Sequence, residues 1–257
     1  MKSRLIDWSI LSLISIFSVL LVWLPVGMTR VHENFDGPYY LVVAKSWYDK
    51  EFIGRNFSIP LPLEYYAAHL PAYPLLITLI SRIGHISHIW AMLVVNLAAG
   101  GVLGIAFFEI VKKMKLAHPL FLAGMMLFFW PRMWAVRSVG SPETLFILLV
   151  LGSLFWFEKK NYWLSGLAGA AAVLTKSPGI LLFVSYLLWI KLEWLRTKKL
   201  DFRVLPIFLI PMAGLGLFWL YQIRMGDFWA YFNSGDNIHL QFWPFRIFDS
   251  AQAWVGS

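Results

Sequence analysis

Long uncharged runs separated by short charged intervals make up most of this chain. Several of the runs approach the roughly 20 residues that an α-helix needs to cross a lipid bilayer. The pattern predicts an all-α polytopic membrane protein with about seven transmembrane helices. The predicted spans are residues 8–28, 88–109, 117–135, 142–158, 161–175, 178–192 and 204–222.

One polar interval is much longer than the others, and it separates the first two predicted spans. This interval, residues 30–87, contains a large share of the acidic residues and histidines. Its segment 71–84 is apolar, but about 13 residues are too few to cross a bilayer. We therefore expect segment 71–84 to form an interfacial or re-entrant helix. The apolar spacing after Asp36 predicts a second, amphipathic helix in the same interval.

The Lys and Arg residues lie mainly in the short intervals between the predicted spans. If segment 71–84 does not cross the membrane, the clusters at 112–115, 159–160 and 191–203 all fall on the side of the N-terminus. Cytoplasmic loops of membrane proteins are enriched in Lys and Arg. The sequence therefore predicts a multi-pass protein with a cytoplasmic N-terminus and an extracytoplasmic loop at 30–87. We expect it in the plasma membrane of a bacterium or an archaeon.

Composition agrees with this class of protein. Hydrophobic residues make up 59% of the chain, the mean hydropathy is +0.66, and only 14% of residues are charged. A soluble domain usually carries about a quarter of charged residues. The net charge of +8 would suit a nucleic-acid partner, but the basic residues cluster beside apolar runs. The bilayer is the predicted partner, and no nucleic-acid partner is predicted.

The loop at 30–87 offers groups that suit acid–base chemistry. Asp36, Glu64 and His69 would form a catalytic site, because carboxylates and an imidazole can serve as a general base or bind a divalent cation. Their spacing matches no known metal motif. The alternatives are a solvated loop acid for Glu64 and an interfacial side chain for His69. Asp36 also stands where a helix N-cap is expected, with Pro38 in the first turn, and this role is compatible with catalysis.

Further polar residues fall on the same predicted side of the membrane. Arg137 and Lys176 lie near span ends, where they either snorkel to water or bind an anionic group such as a lipid phosphate. Glu143 follows Ser-Pro, where a carboxylate favours the start of a helix. In the C-terminal segment, Asp236 and His239 either complete a site on the outer face or belong to a loop.

Four segments resemble motifs of the GT-C superfamily of glycosyltransferases, especially the GPI-mannosyltransferase-II-like and protein-mannosyltransferase-like enzymes. They are residues 35–44 (FDGPYYLVVA), 69–76 (HLPAYPLL), 141–146 (SPETLF) and 166–179 (GLAGAAAVLTKSPG). Each motif is loose, and their order and spacing carry the resemblance. It extends from residue 1 to about residue 200.

The resemblance implies a GT-C-like fold and a glycosyltransferase that takes a mannose-like hexose from a polyprenyl-phosphate donor on the outer face. The acceptor would be a lipid, a glycan or a protein. Asp36 would activate the acceptor hydroxyl and Glu64 would be a second acid. Some such enzymes bind a metal there, so these two acids are the candidate ligands for a divalent cation, and no other cofactor is expected.

The resemblance also assigns residues to substrate binding. Arg137 and Lys176 would face the donor phosphate, and Glu143 is expected among the substrate-binding residues. The motif tyrosines Tyr40 and Tyr73 are expected at the same site.

The chain reads as one GT-C-like domain over 1–257, and similar enzymes commonly have more spans after the seventh. We therefore expect C-terminal helices to be lacking here. Two alternatives remain open from the sequence: a transporter or flippase for a lipid or amphiphile, and a non-catalytic relative. A transporter would carry ionisable residues within its spans.

Overall fold

In a computed structural model, the described residues are 2–28, 30–58, 61–128 and 131–234, and all regular structure within them is helical. The predicted all-α class is therefore confirmed. The α-helices of these ranges are α1 (Lys2–Val26), α2 (Gly37–Ser46), α3 (Lys50–Asn56), α4 (Ala72–Gly84), α5 (His88–Lys113), α6 (Pro119–Phe128), α7 (Pro131–Ser138), α8 (Glu143–Glu158), α9 (Tyr162–Val173), α10 (Leu181–Thr197) and α11 (Leu209–Met225). Short 3-10 helices at Val31–Glu33, Leu63–Ala68, Ser177–Ile180 and Phe202–Phe208 connect or extend them.

Four helical segments are long and apolar enough to cross a membrane: Arg4–Val26, His88–Lys113, Ser177–Thr197 and Phe202–Met225. A fifth exists if α6 and α7, which are bent by 66° relative to each other, count as one span. Helices α8 and α9 have 16 and 12 residues, or about 24 and 18 Å at 1.5 Å per residue. Both are shorter than the hydrocarbon core of about 30 Å. Helices occur at all seven predicted positions, but the prediction of seven full-length spans is not established.

Two ion pairs connect α1, α5 and α8 at one end of the bundle, which we call the basic end. Arg4 at the start of α1 donates to the Glu109 carboxylate near the end of α5, with 2.8 Å between Nε and Oε1. Trp8 Nε1 donates to the same oxygen at 2.9 Å. Lys113 pairs with Glu158 at the end of α8. The start of α1 and the ends of α5 and α8 therefore share one end. The loop at 30–87 lies at the opposite end, which we call the loop end.

Helix α4 lies beside the first turns of α5. Near its start, Tyr73 Oη donates to Asn96 Oδ1 at 2.8 Å. Near its end, Ser81 Oγ donates to the Ile86 carbonyl at 2.6 Å. The helix therefore extends from the level of Asn96 back to the start of α5 and has only 13 residues. This placement agrees with the short helix predicted over 71–84.

Buried tyrosines attach α11 to the loop. Tyr221 Oη donates to the Ala67 carbonyl, and Tyr48 Oη donates to the His69 carbonyl, both at 2.7 Å. The two tyrosine rings meet edge to face with centroids 5.2 Å apart. Buried hydroxyls that find acceptors add specificity to the large apolar area of the rings. Helix α11 thus fixes the backbone around His69.

Candidate functional site

Two glycines bring the start of α2 against the turn before α8. A Cβ atom at Gly37 would lie 2.1 Å from the His32 carbonyl oxygen, and one at Gly140 would lie 2.7 Å from the Gly37 Cα. Backbone approaches this close leave room only for glycine. The contact places Asp36 beside Ser141 and Glu143 at the start of α8.

Asp36 occupies the residue before α2, as expected for an N-cap. Its carbonyl oxygen accepts the N–H groups of Tyr39 and Tyr40 at 3.1 Å. Its side chain, however, makes no capping hydrogen bond in the described part of the chain. The predicted N-cap position is therefore confirmed, but the side-chain hydrogen bond expected of an N-cap is absent from the described residues. Among the described residues none is hydrogen-bonded to this carboxylate, so it can accept a proton from another molecule.

The surroundings of Asp36 favour its protonated form. Partial desolvation by the protein raises the pKa of the Asp36 carboxyl, and the negative charge of Glu143 raises it further. The positive charge of Lys176 opposes the shift. A carboxylate with a raised pKa is a better general base near neutral pH than an ordinary surface aspartate.

Glu143 and Lys176 form an ion pair, with 2.6 Å between Oε1 and Nζ. The Ser141 hydroxyl donates to the other carboxylate oxygen of Glu143. The turn that carries Lys176 is closely packed, because a Cβ at Gly179 would lie 2.6 Å from the Val173 nitrogen. We call Asp36, Glu143 and Lys176 the acid–lysine cluster. Its members come from three distant parts of the chain and carry one net negative charge.

Two buried tyrosines of the resemblance motifs lie behind this cluster. Tyr40 and Tyr73 meet edge to face with ring centroids 5.1 Å apart, and the negative charges of Asp36 and Glu143 act on Tyr40. Tyr73 donates to Asn96, whose side-chain amide donates in turn to the Val139 carbonyl. Sequence reasoning missed Asn96. The available signal was an amide within an apolar span, where polar side chains are rare and usually functional.

His69 lies below the tyrosines and is only 3% exposed. Its ring centroid is 5.1 Å from that of Tyr39 and 5.0 Å from that of Tyr40. Burial lowers the pKa of His69 from 6.5 to about 4, so the ring is neutral at physiological pH. The structure places His69 within the wall of the site rather than at the solvent-facing carboxylate.

Glu64 is not brought together with Asp36. Its carboxylate pairs with Lys50, with 2.8 Å between Oε1 and Nζ, and this hydrogen bond lowers the pKa of Glu64. It is not among the charges that act on Asp36. Within the described ranges no group of three or more His, Cys, Asp or Glu side chains could hold a metal ion. The geometry therefore gives the predicted Asp36–Glu64 cation site no support.

Arg137 is fully buried and binds α1 rather than the acid–lysine cluster. Its Nη1 donates to Ser15 Oγ at 2.9 Å, and its Nη2 donates to Ser18 Oγ at 2.7 Å and to the Leu127 carbonyl at 2.6 Å. The guanidinium neither snorkels to water nor faces Lys176, because the serines of α1 hold it inside the bundle. The predicted site residues Asp236 and His239 lie outside the described residues.

An apolar cavity of about 420 Å³ begins beside the turn that carries Lys176. Ser177, Leu70 and Val173 are among its lining residues, together with Leu217 and Phe218 of α11. The candidate site therefore combines a carboxylate without a hydrogen-bond partner in the described ranges, an ammonium group held by Glu143 and a nearby apolar recess. Comparison with protein-family models, with curated proteins and with solved structures gives no match to this chain.

Proposed function

We propose that this chain is a membrane glycosyltransferase of GT-C-like type. It would move a mannose-like hexose from a polyprenyl-phosphate donor to a hydroxyl of a lipid, glycan or protein acceptor. The observation that carries the proposal is the Asp36 carboxylate, which belongs to an exposed residue, makes no capping hydrogen bond and is acted on by the positive charge of the Lys176 ammonium group. An apolar cavity beside Lys176 completes the set of groups that such a reaction needs.

In this proposal Asp36 is the general base. The acceptor hydroxyl attacks the anomeric carbon of the sugar while Asp36 takes the hydroxyl proton. The bond from the anomeric carbon to the phosphate oxygen breaks, and its electrons leave with the polyprenyl phosphate. Positioned proton transfer of this kind typically contributes about 10²–10⁴-fold to a rate. The raised pKa of Asp36 strengthens it as a base.

Lys176 would stabilise the phosphate as negative charge develops on it. A cation held in place before the reaction needs no reorganisation when the charge appears. The ion pair with Glu143 supplies that orientation. The phosphate would then bind on the side of the ammonium group that Glu143 leaves open.

The cavity beside Lys176 would hold the first isoprene units of the donor. Its volume of about 420 Å³ lies within the usual range of about 300–1,000 Å³ for small-molecule sites. The residues lining it are almost entirely apolar. An isoprenoid chain entering from the membrane would therefore place its phosphate near Lys176 without exposing hydrocarbon to water.

The loop end would face the outside of the cell. Arg4, Lys112 and Lys113 lie at or near the basic end, and cytoplasmic ends of membrane proteins are enriched in Lys and Arg. The proposed location is the plasma membrane of a bacterium or an archaeon, with the N-terminus in the cytoplasm.

The experiment compares the wild-type chain, Asp36→Asn and Glu33→Gln after reconstitution into proteoliposomes with radiolabelled polyprenyl-phosphate hexoses. Glu33 is an exposed acid three residues from Asp36 and serves as the matched control. We expect Asp36→Asn to lower sugar transfer by about 100-fold or more and Glu33→Gln to leave it unchanged. Full transfer by Asp36→Asn would overturn the proposal. Movement of the donor across the membrane without any transfer would favour a flippase instead.

A further inference from the structure

A second cavity, of about 350 Å³, lies against one face of α2. Pro38, Leu41, Val42 and Lys45 line it, and their spacing of three, one and three residues marks one face of a helix. Ser87 and His88 at the start of α5 form the opposite wall. The cavity shares no lining residue with the acid–lysine cluster.

Two cationic side chains lie at this cavity. Lys45 lines it together with the imidazole rings of His88 and His32, and the positive charges of Lys45 and Arg82 both act on the His88 ring. No Asp or Glu is among the described residues of its lining. Throughout the described ranges, neither Lys45 nor Arg82 has a carboxylate within ion-pair distance. Uncompensated cations around a recess attract an anion.

Two further features suit an anion at this position. His32 Nδ1 is buried and has no hydrogen-bond partner in the described part of the chain. The cavity also meets the first turn of α5, a helix of 26 residues, where the backbone N–H groups and the helix dipole add positive potential. The Ser87 side chain accepts the N–H of Trp90 and does not accept from the N–H groups that precede Trp90 in this turn.

The rest of the lining is apolar and therefore favours an anionic group that is attached to a hydrophobic molecule. Leu41, Val42, Phe57 and Ile89 contribute side chains that a small hydrated ion would leave uncovered. The adjacent Trp90 is 40% exposed at the start of an apolar span, a position that tryptophan favours at membrane interfaces. We propose that this cavity binds a phosphate group borne by an anionic membrane lipid, with Lys45 as the main cationic contact and with Arg82 and the His88 ring supporting it.

This inference does not depend on the proposed sugar transfer. The phosphate would accept hydrogen bonds from Lys45 and from the backbone at the start of α5. Charge-assisted bonds of this kind are about twice as strong as neutral ones. Loss of one such contact is expected to weaken binding about tenfold.

The experiment titrates the purified chain in a nonionic detergent with dioctanoyl phosphatidic acid, with dioctanoylglycerol and with inorganic phosphate, using isothermal titration calorimetry. The variants are Lys45→Gln, Arg82→Gln and the control Lys112→Gln, which removes an equal charge near the basic end. Lys45 and Arg82 are exposed, so their substitution leaves the fold intact, and thermal unfolding checks this.

We expect phosphatidic acid to bind the wild-type chain and Lys112→Gln equally, and Lys45→Gln about tenfold more weakly. Dioctanoylglycerol, which lacks the phosphate, should not bind at this site. Equal binding of phosphatidic acid by Lys45→Gln, or equal binding of dioctanoylglycerol, would overturn the proposal. Binding of inorganic phosphate as tight as that of the lipid would overturn the lipid source and identify a soluble phosphate ligand.

Discussion

Removing the Lys176 ammonium group is the perturbation that probes the acid–lysine cluster most sharply. Coulomb's law at an effective dielectric constant of about 20 gives about 6 kcal/mol for unit charges 2.6 Å apart. The side chains are 35% and 25% exposed, so solvent screening and desolvation reduce the net coupling to about 1–3 kcal/mol. Lys176→Gln should therefore destabilise the chain by about this amount. Loss of the lysine charge also leaves the negative charges of Glu143 and Asp36 without a compensating cation in the cluster.

The assay is a double-mutant cycle on the free energy of unfolding in mixed detergent micelles, followed by tryptophan fluorescence. It uses Lys176→Gln, Glu143→Gln and the double variant, and repeats Lys176→Gln in the Asp36→Asn background. We expect a coupling energy of about 1–3 kcal/mol between Lys176 and Glu143. The cost of Lys176→Gln should be smaller in the Asp36→Asn background, because Lys176 then has no attraction to the Asp36 carboxylate to lose.

Two results would refute this reasoning. A coupling energy below about 0.5 kcal/mol would mean that the pair behaves like an ordinary surface salt bridge. An unchanged cost of Lys176→Gln in the Asp36→Asn background would mean that Asp36 does not feel the charges of the other two groups. The three residues would then lie near one another without being energetically coupled.

Three further predictions concern the scaffold around the site. Gly37→Ala should lower the free energy of unfolding by about 1–3 kcal/mol, whereas the control Gly54→Ala, with open space around its Cα, should be neutral or stabilising. Arg137→Lys should lower the free energy of unfolding by about 2–4 kcal/mol, because lysine cannot reproduce the guanidinium hydrogen bonds. The exposed control Arg55→Lys should change that free energy by less than about 0.5 kcal/mol. Equal losses of stability in the two variants would contradict the buried hydrogen-bond network of Arg137. Because the pKa of His69 is about 4 in the folded chain and 6.5 ordinarily, only the unfolded chain binds that proton between these values. Stability should therefore fall by up to about 3 kcal/mol as the pH is lowered from 6.5 to 4, and His69→Phe should remove that part of the pH dependence of unfolding; an identical pH profile would contradict it.

Hydropathy predicts the positions of the helices but not their full course. The predicted span 88–109 corresponds to α5, and the short segment 71–84 corresponds to α4. Span 117–135 instead divides into α6 and α7, which are bent by 66°. Mean hydropathy over a sequence window measures apolar content and carries no information on the direction of the helix axis. It therefore cannot predict a bend between two helices. The same limit applies to the shortness of α8 and α9.

Side-chain partners depend on contacts between distant segments, and these were only partly predictable. Charge placement put Glu143 and Lys176 on one side of the membrane, but it did not indicate that the two side chains, 33 positions apart, form an ion pair. Arg137 was expected to face the phosphate. The serines that bind it lie more than 100 residues away on α1, and no local pattern in the sequence indicates which helix face meets them. Glu64 was grouped with Asp36 by loop membership, whereas its partner is Lys50.

The most direct measurement is the turnover rate of sugar transfer by Asp36→Asn at saturating donor, together with the dissociation constant of the donor. Asn keeps the size of the side chain and removes its ability to accept the acceptor proton. We predict that kcat falls by about 100-fold or more while the donor dissociation constant stays within about threefold of the wild-type value, because Asp36 acts on the acceptor. A kcat equal to that of the wild-type chain would contradict the assignment of Asp36 as the catalytic base.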